Sequence, residues 1–222
     1  MSINKFKAYL KTLENLDTEK SFFKKYEKED KLVILLSGSS NFETAALSNQ
    51  QKDFLSLFEK FSYKIIESNF PYNIEFPYQK YDEINIVKAS CRVICYYIHT
   101  LKNKKFHKEI KRHLSFILNI KKLIIITQSS GLNILNKFLD LLDNDELEKI
   151  KTQNIQIFSL GPVAKKNKKF EILNYKIVKG KLDEYSKKFD FHKADIWIDC
   201  KHLEYLKNKE LREYIYEYLQ KN

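Results

Sequence analysis

The chain has 222 residues, a formal net charge of +11 and three cysteines. One domain of this length buries roughly 70% of the surface that the unfolded chain exposes, so no stabilising metal or disulfide is expected. The odd cysteine count and the absence of a secretory apolar segment indicate reduced thiols and a cytoplasmic protein. No apolar run is long enough to span a bilayer, which predicts no membrane-spanning segment.

The basic charge suggests nucleic acid or an anionic membrane as a partner. However, only Arg92, Arg112 and Arg212 are arginines among 40 basic residues, and the lysines are spread over most of the chain. Proteins that bind bases or phosphates favour arginine for its planar, bidentate geometry. The composition therefore argues against nucleic acid as the partner.

Residues 1–30 carry apolar side chains at helical spacing, with lysines and glutamates between them. The chain is expected to form a single domain over 1–222. Within it, residues 1–30 are predicted to be a helical extension that docks on the rest. A membrane-surface helix is the alternative, and the acidic residues mixed into the polar face argue against it.

Short apolar runs alternate with helical patterns over the rest of the chain. Buried strands are predicted at Lys31–Leu36, Tyr63–Ser68, Leu123–Ile126, Ile155–Leu160, Tyr175–Val178 and Ala194–Cys200. Helices are predicted over 45–61, 84–101, 110–118, 131–142 and 211–219. Strands joined through helices form parallel crossovers, so the predicted fold is a three-layer α/β/α sandwich with a mostly parallel sheet of about six strands.

The glycines mark one edge of this sheet. There are only four, and each of Gly38, Gly131, Gly161 and Gly180 lies just past a predicted strand. Glycine permits a sharp exit and a close backbone approach. Ligands of open parallel sheets bind at the carboxyl edge, so the site is expected there. No two glycines have a phosphate-binding spacing, which predicts no nucleotide cofactor.

Polar side chains follow three strands at that edge. Gln128-Ser129-Ser130-Gly131 places a hydroxyl on the turn between a strand and a helix, beside the free N–H groups of the helix start. Asp183 follows the penultimate strand, and His202 follows the last one.

This order resembles the α/β-hydrolase superfamily, whose nucleophile elbow reads small-x-Ser-x-Gly. The resemblance implies a serine hydrolase of the esterase or thioesterase type, with Ser129 as the nucleophile, His202 as the base and Asp183 as the orienting acid. It further implies an oxyanion hole made by the N–H groups of Ser130 and Ser39, with no metal and no cofactor.

Each of these residues also has an ordinary structural interpretation. Ser129 fits a helix N-cap, Asp183 fits a turn, and His202 fits a solvated loop; Glu184 competes with Asp183 as the acid. The family's elbow usually carries a very small residue where this chain has Thr127, which predicts a slightly opened turn. A catalytically weak α/β-hydrolase-like binding protein is therefore the alternative function.

A second cluster of polar side chains lies on one predicted helix. Cys91, Cys95 and His99 share a helical face, as zinc ligands do. The same stripe contains Ile94 and Ile98, which favours small core residues instead of a metal site.

The connection between Pro162 and Asn174 is too short to hold a cap domain. The aromatic segment Phe70–Tyr81 is therefore expected to cover the site. Four lysines beside it, Lys165, Lys166, Lys168 and Lys169, suggest a small-molecule or carrier-linked acyl substrate that carries negative charge.

Overall fold

The computed structural model describes residues 2–38, 41–82 and 86–221. Its strands are β1 Lys31–Ser37, β2 Lys64–Ile65, β3 Lys122–Gln128, β4 Asn154–Leu160, β5 Asn174–Gly180 and β6 Ile196–Ile198. They form a six-stranded sheet in the order β2-β1-β3-β4-β5-β6, and every neighbouring pair is parallel. The predicted α/β fold with a parallel sheet is confirmed.

Helices flank both faces of this sheet. They are α1 Ser2–Asn15, α2 Phe22–Lys25, α3 Asn49–Leu55, α4 Ile86–Lys102, α5 Lys104–Leu114, α6 Gly131–Asp140, α7 Asn144–Thr152, α8 Glu184–Phe189 and α9 Lys209–Lys221. The helix predicted over 45–61 begins only at Asn49, because Ser48 and Gln51 form a capping box there. The strand predicted at 63–68 is reduced to the two residues of the edge strand β2.

The strands are buried on both faces, and their side chains divide into two cores. Leu32, Ile34 and Leu36 of β1 pack with α1, α5 and α6, whereas Val33 and Leu35 pack with α3 and α9. This division follows from the two-residue period of a strand. The continuous apolar runs of the sequence are thus explained by helices on both sides of the sheet.

The exposed face of α4 corrects one expectation. Ile94 and Ile98 are 59% and 48% exposed, and Cys91 is exposed as well. The helix instead buries Arg92, Cys95, Tyr96 and Thr100. Both faces of α4 carry apolar residues, so helical periodicity alone predicted the wrong face to be buried. Of the two cysteines expected in the core, only Cys95 is buried.

The N-terminal helix is held on the domain by a partly buried polar contact as well as by packing. The ring of Phe6 packs against Phe42 and Phe106. Arg112 of α5 donates to the carbonyl oxygens of Leu13 and Leu16. Because these carbonyls belong to the end of α1, the guanidinium both caps that helix and ties it to α5.

The connection between β4 and β5 carries no inserted domain. Residues 161–173 all lie within the described chain and form turns without a helix or strand. Among the described helices, none has the length and apolar character needed to cross a membrane.

The start of α6 lies against β1 at a distance that only glycine permits. A Cβ atom on Gly131 would lie 1.9 Å from the carbonyl oxygen of Leu36. We expect Gly131→Ala to lower the free energy of unfolding by about 3 kcal/mol or more, measured by urea denaturation.

Gly38→Ala is the matched control for that substitution. Its Cβ would meet the hydroxyl oxygen of Ser130 at 2.1 Å, and that side chain can rotate away. We therefore expect Gly38→Ala to lower the free energy of unfolding by less than about 1 kcal/mol. Equal losses for the two variants would contradict the backbone clash at Gly131.

His113 makes the fold sensitive to mild acid. Burial, with Arg112 beside it, lowers the pKa of His113 to about 4. The unfolded chain takes up this proton near pH 6.5, so the unfolded state binds more protons between the two values. The free energy of unfolding should therefore fall by about 3 kcal/mol as the pH drops through this window.

Urea denaturation from pH 7 to pH 4 measures this dependence. His113→Leu should remove most of the slope, and His107→Gln, on the same helix at a half-buried position, should leave most of it. An unchanged slope in His113→Leu would show that another group is responsible.

Candidate active site

Ser129 occupies a strained turn between β3 and α6. Its φ angle is +53°, in the left-handed region that non-glycine residues rarely adopt. The N–H of Ser129 donates to the Leu160 carbonyl at 3.1 Å, and its own carbonyl accepts from the Val163 N–H at 3.1 Å. The neighbouring strand β4 and its exit thus hold the strained residue in place, with its hydroxyl at the sheet edge.

His202 contacts Ser129 on one side and Asp183 on the other. Its Nε2 lies 2.9 Å from Ser129 Oγ, and its Nδ1 lies 3.0 Å and 2.9 Å from the two carboxylate oxygens of Asp183. A reciprocal turn holds the segment, because Lys201 N–H donates to the Glu204 carboxylate and Glu204 N–H donates to the Lys201 carbonyl. The structure therefore brings together three side chains that are far apart in the sequence.

The Asp183 carboxylate is buried and fully engaged. Its Oδ1 accepts the N–H groups of Tyr185 and Ser186 at 3.0 and 3.1 Å, which makes Asp183 the N-cap of α8. Its Oδ2 accepts the Tyr205 hydroxyl at 2.6 Å. Glu184 is exposed and pairs with Lys187 instead, so the contact with His202 belongs to Asp183 and not to Glu184.

This environment keeps Asp183 ionised. Burial alone would raise the pKa of the carboxyl group, but the hydrogen bonds from His202, Tyr205 and the Ser186 N–H outweigh that effect. The net result is a pKa held well below its usual range. A carboxylate at Nδ1 fixes the imidazole with its proton on that atom, which leaves the Nε2 lone pair directed at Ser129.

Tyr205 is a member of the site that the sequence did not reveal. Its hydroxyl donates to Asp183 and accepts the Gly180 N–H at 2.7 Å. Burial raises the pKa of Tyr205 above its ordinary value, so the hydroxyl keeps the proton that it donates. In the sequence Tyr205 is one aromatic residue among many, and its position three residues after His202 was the only signal.

Of the two residues predicted to form the oxyanion hole, only Ser130 lies within the described chain. Ser39 lies outside the described residues. Ser130 is buried, and its side chain lies against Gly38, the first residue after β1. The backbone N–H of Ser130 is thus located where the helix start meets the end of β1. Its hydroxyl oxygen is buried, and no residue within the described ranges forms a hydrogen bond with it.

Thr127 is accommodated within the sheet. Its side chain is buried, and its hydroxyl donates to Ser159 Oγ of β4 at 2.8 Å. Ser129 still has its left-handed φ angle and its contact with His202. The structure therefore gives no sign of the opened turn that the sequence predicted, because the β-branched side chain lies between strands.

The surroundings of the site differ from expectation in two respects. Phe70, Tyr72 and Phe76 are buried in the core, and Tyr72 donates to the Leu35 carbonyl, so the 70–81 segment packs beside β1 instead of covering the site. Lys165, Lys166 and Lys168 are exposed on the segment that follows β4. Lys169 instead donates to the Leu142 carbonyl beyond the end of α6.

A second histidine–aspartate pair lacks a nucleophile. His192 Nδ1 lies 2.8 Å from Asp190, and Lys179 donates to the same residue. His192 Nε2 is buried and has no hydrogen-bond partner among the described residues. It lies beside a cavity of about 420 Å³ that no residue of the Ser129 site lines. Of the two histidine–aspartate pairs, the one formed by His202 and Asp183 contacts a serine hydroxyl, that of Ser129.

The candidate zinc ligands on α4 are not arranged for metal binding. His99 stacks on Phe6 with ring centroids 3.8 Å apart, and its Nδ1 contacts the Asn103 amide. Within the described ranges, no group of three acidic, histidine or cysteine side chains is placed to hold a metal ion.

Comparisons with known proteins bear on the fold. No family model matches the chain, and no curated protein matches it. Among solved structures, it is similar to an uncharacterized protein from Bacillus cereus ATCC 10987, at 14% identity and a TM-score of 0.50. The similarity covers 88% of this chain, which spans only 60% of that protein. This likeness agrees with the α/β architecture.

Tyr205 provides a test of how the site is held together. In Tyr205→Phe, the buried Gly180 N–H loses its acceptor and Asp183 loses a donor. We expect the free energy of unfolding at pH 7 to fall by about 1–3 kcal/mol, measured in urea. Tyr185→Phe removes an exposed hydroxyl nearby and should change it by less than about 0.5 kcal/mol. Equal stability of the two variants would contradict the role given to Tyr205.

Proposed function

We propose that the protein is a serine hydrolase that cleaves an ester or thioester through an acyl-enzyme intermediate. The observation that carries this proposal is the hydrogen-bonded series from Ser129 through His202 to Asp183, with contacts of 2.9 to 3.0 Å. A serine hydroxyl is a weak nucleophile until a base removes its proton. Here a base touches the hydroxyl, and an ionised carboxylate orients the base.

The positions of these residues in the sheet also support membership of the α/β-hydrolase superfamily. Ser129 follows the central strand β3, Asp183 follows β5, and His202 follows β6. The left-handed turn at Ser129 and the close approach at Gly131 are the features expected of a nucleophile elbow.

In the first half of the proposed reaction, Ser129 Oγ attacks the acyl carbonyl carbon, and His202 Nε2 takes the proton of the Ser129 hydroxyl. The oxygen of the tetrahedral intermediate lies against the Ser130 N–H. As the bond to the leaving alcohol or thiol breaks, His202 returns the proton to the departing atom. Asp183 stays ionised and stabilises the imidazolium.

In the second half, water replaces the leaving group. His202 takes a proton from the water, whose oxygen attacks the acyl carbon. The bond from that carbon to Ser129 Oγ then breaks, and Ser129 recovers its proton from His202. A carboxylic acid is released, and the enzyme returns to its starting state.

The nature of the substrate and its location are part of the same proposal. The exposed side chains of Lys165, Lys166 and Lys168, on the segment after β4, suit a small-molecule or carrier-linked acyl group with negative charge. Three free cysteines, one of them exposed on α4, suit a reducing, cytoplasmic compartment.

A fluorophosphonate probe tests the proposal. We expect stoichiometric labelling of the wild type at Ser129, identified by mass spectrometry of the modified peptide. Ser129→Ala should abolish the labelling, and Asp183→Asn should slow it by about 10³- to 10⁴-fold, because the imidazole then loses its orienting carboxylate.

Ser130→Ala is the control, since it removes the neighbouring hydroxyl and leaves the nucleophile and the backbone N–H. Labelling should remain at Ser129 in this variant. Wild-type labelling no faster than that of Ser129→Ala would overturn the enzyme proposal and favour the alternative, a binding protein built on the same fold.

A further inference from the structure

Exposed apolar side chains lie around the base and the acid of the site. Leu182 precedes Asp183, Leu203 follows His202, and Tyr185 lies on the first turn of α8; they are 59%, 69% and 61% exposed. The Tyr185 ring centroid is 5.2 Å from the His202 imidazole. We call Leu182, Tyr185 and Leu203 the 182–203 patch.

The sheet order decides which part of a substrate faces this patch. Ser129 follows β3, the loop after β1 lies on one side of it, and His202 and Asp183 follow β6 and β5 on the other side. In the proposed reaction, the acyl oxygen lies on the β1 side, because it accepts from the Ser130 N–H. The leaving group must lie on the β5–β6 side, because His202 returns the proton to it.

Acidic and basic side chains of opposite sign alternate around the patch, and two pairs of them form salt bridges. Glu184 pairs with Lys187 at 2.7 Å and Lys181 pairs with Asp199 at 3.3 Å. Glu204 accepts the backbone N–H of Lys201 at 2.8 Å. The surface next to His202 therefore offers apolar contact area and little net charge to a ligand.

We propose, on the basis of the hydrolase function above, that the 182–203 patch binds an apolar leaving group, a long-chain alkyl alcohol or thiol. Burial of such a group against Tyr185 and Leu203 stabilises the enzyme–substrate complex and the transition state. Of the two substrate types named in the proposed function, this surface favours the small-molecule ester, because it provides few partners for a polar, charged carrier arm. The leaving group, and not the acyl group, then carries most of the apolar selectivity.

Acetate esters of ethanol and 1-octanol test this proposal. The two alcohols have closely similar acidity, so their intrinsic reactivity as leaving groups is matched. We expect kcat/KM for octyl acetate to exceed that for ethyl acetate by about tenfold or more, with both measured below the concentration at which octyl acetate aggregates. Equal values for the wild type would overturn the proposal.

Two single variants, Tyr185→Ser and Leu203→Ser, locate the effect. Each should reduce the octyl-to-ethyl ratio by about threefold or more. Ile98→Ser, an exposed apolar residue on α4, is the matched control and should retain the wild-type ratio. A ratio that stays unchanged in both patch variants would also overturn the proposal.

Two further measurements separate the possible failures. Fluorophosphonate labelling of Ser129 in the wild type reports the hydrolase function independently of chain length, so labelling without an octyl preference rejects only the patch proposal. Sedimentation of the wild type and the patch variants tests whether a second copy of the chain covers the patch. A dimer that these substitutions dissociate, together with an unchanged ratio, would assign the patch to self-association instead.

Discussion

The buried Asp183 carboxylate connects more of the site than any other group. It caps α8, accepts the Tyr205 hydroxyl and fixes the imidazole of His202. Tyr205 in turn accepts the N–H of Gly180 at the end of β5. A buried charge is tolerated only when its hydrogen bonds are satisfied, so the three segments that supply donors must lie where they do. The position of the His202 imidazole therefore follows from the hydrogen bonds that the Asp183 carboxylate requires.

A second constraint acts on the other side of His202. The start of α6 lies so close to β1 that Gly131 has no room for a side chain, and this approach brings the helix start up to the loop after β1. Ser129 joins β3 to that helix in a left-handed conformation, held by hydrogen bonds from its backbone to Leu160 and Val163. The strain is local, and the parallel neighbour β4 and the segment that follows it supply the contacts that maintain it.

A sequence pattern that fits only one arrangement of buried and exposed side chains was predictable. A pattern that fits two arrangements was not. A continuous apolar run such as Leu32–Leu36 must be buried on both faces, and it forms a central strand. On α4, apolar residues occur on two faces, so only packing against α1 and α6 decides that Tyr96 is buried and Ile94 is exposed. The aromatic 70–81 segment was misplaced for a related reason, since its rings were equally suited to covering a site and to filling the core.

By itself, the sequence determined that the fold is α/β and that Ser129, Asp183 and His202 follow strands at one sheet edge. Parallel strands end at a common edge, so residues placed after them are brought near one another whatever the details of packing. Only the tertiary structure decided the contact distances, the choice of Asp183 over Glu184 and the part played by Tyr205. Each of these depends on hydrogen bonds between segments about 20 residues or more apart, and such contacts leave no local pattern in the sequence.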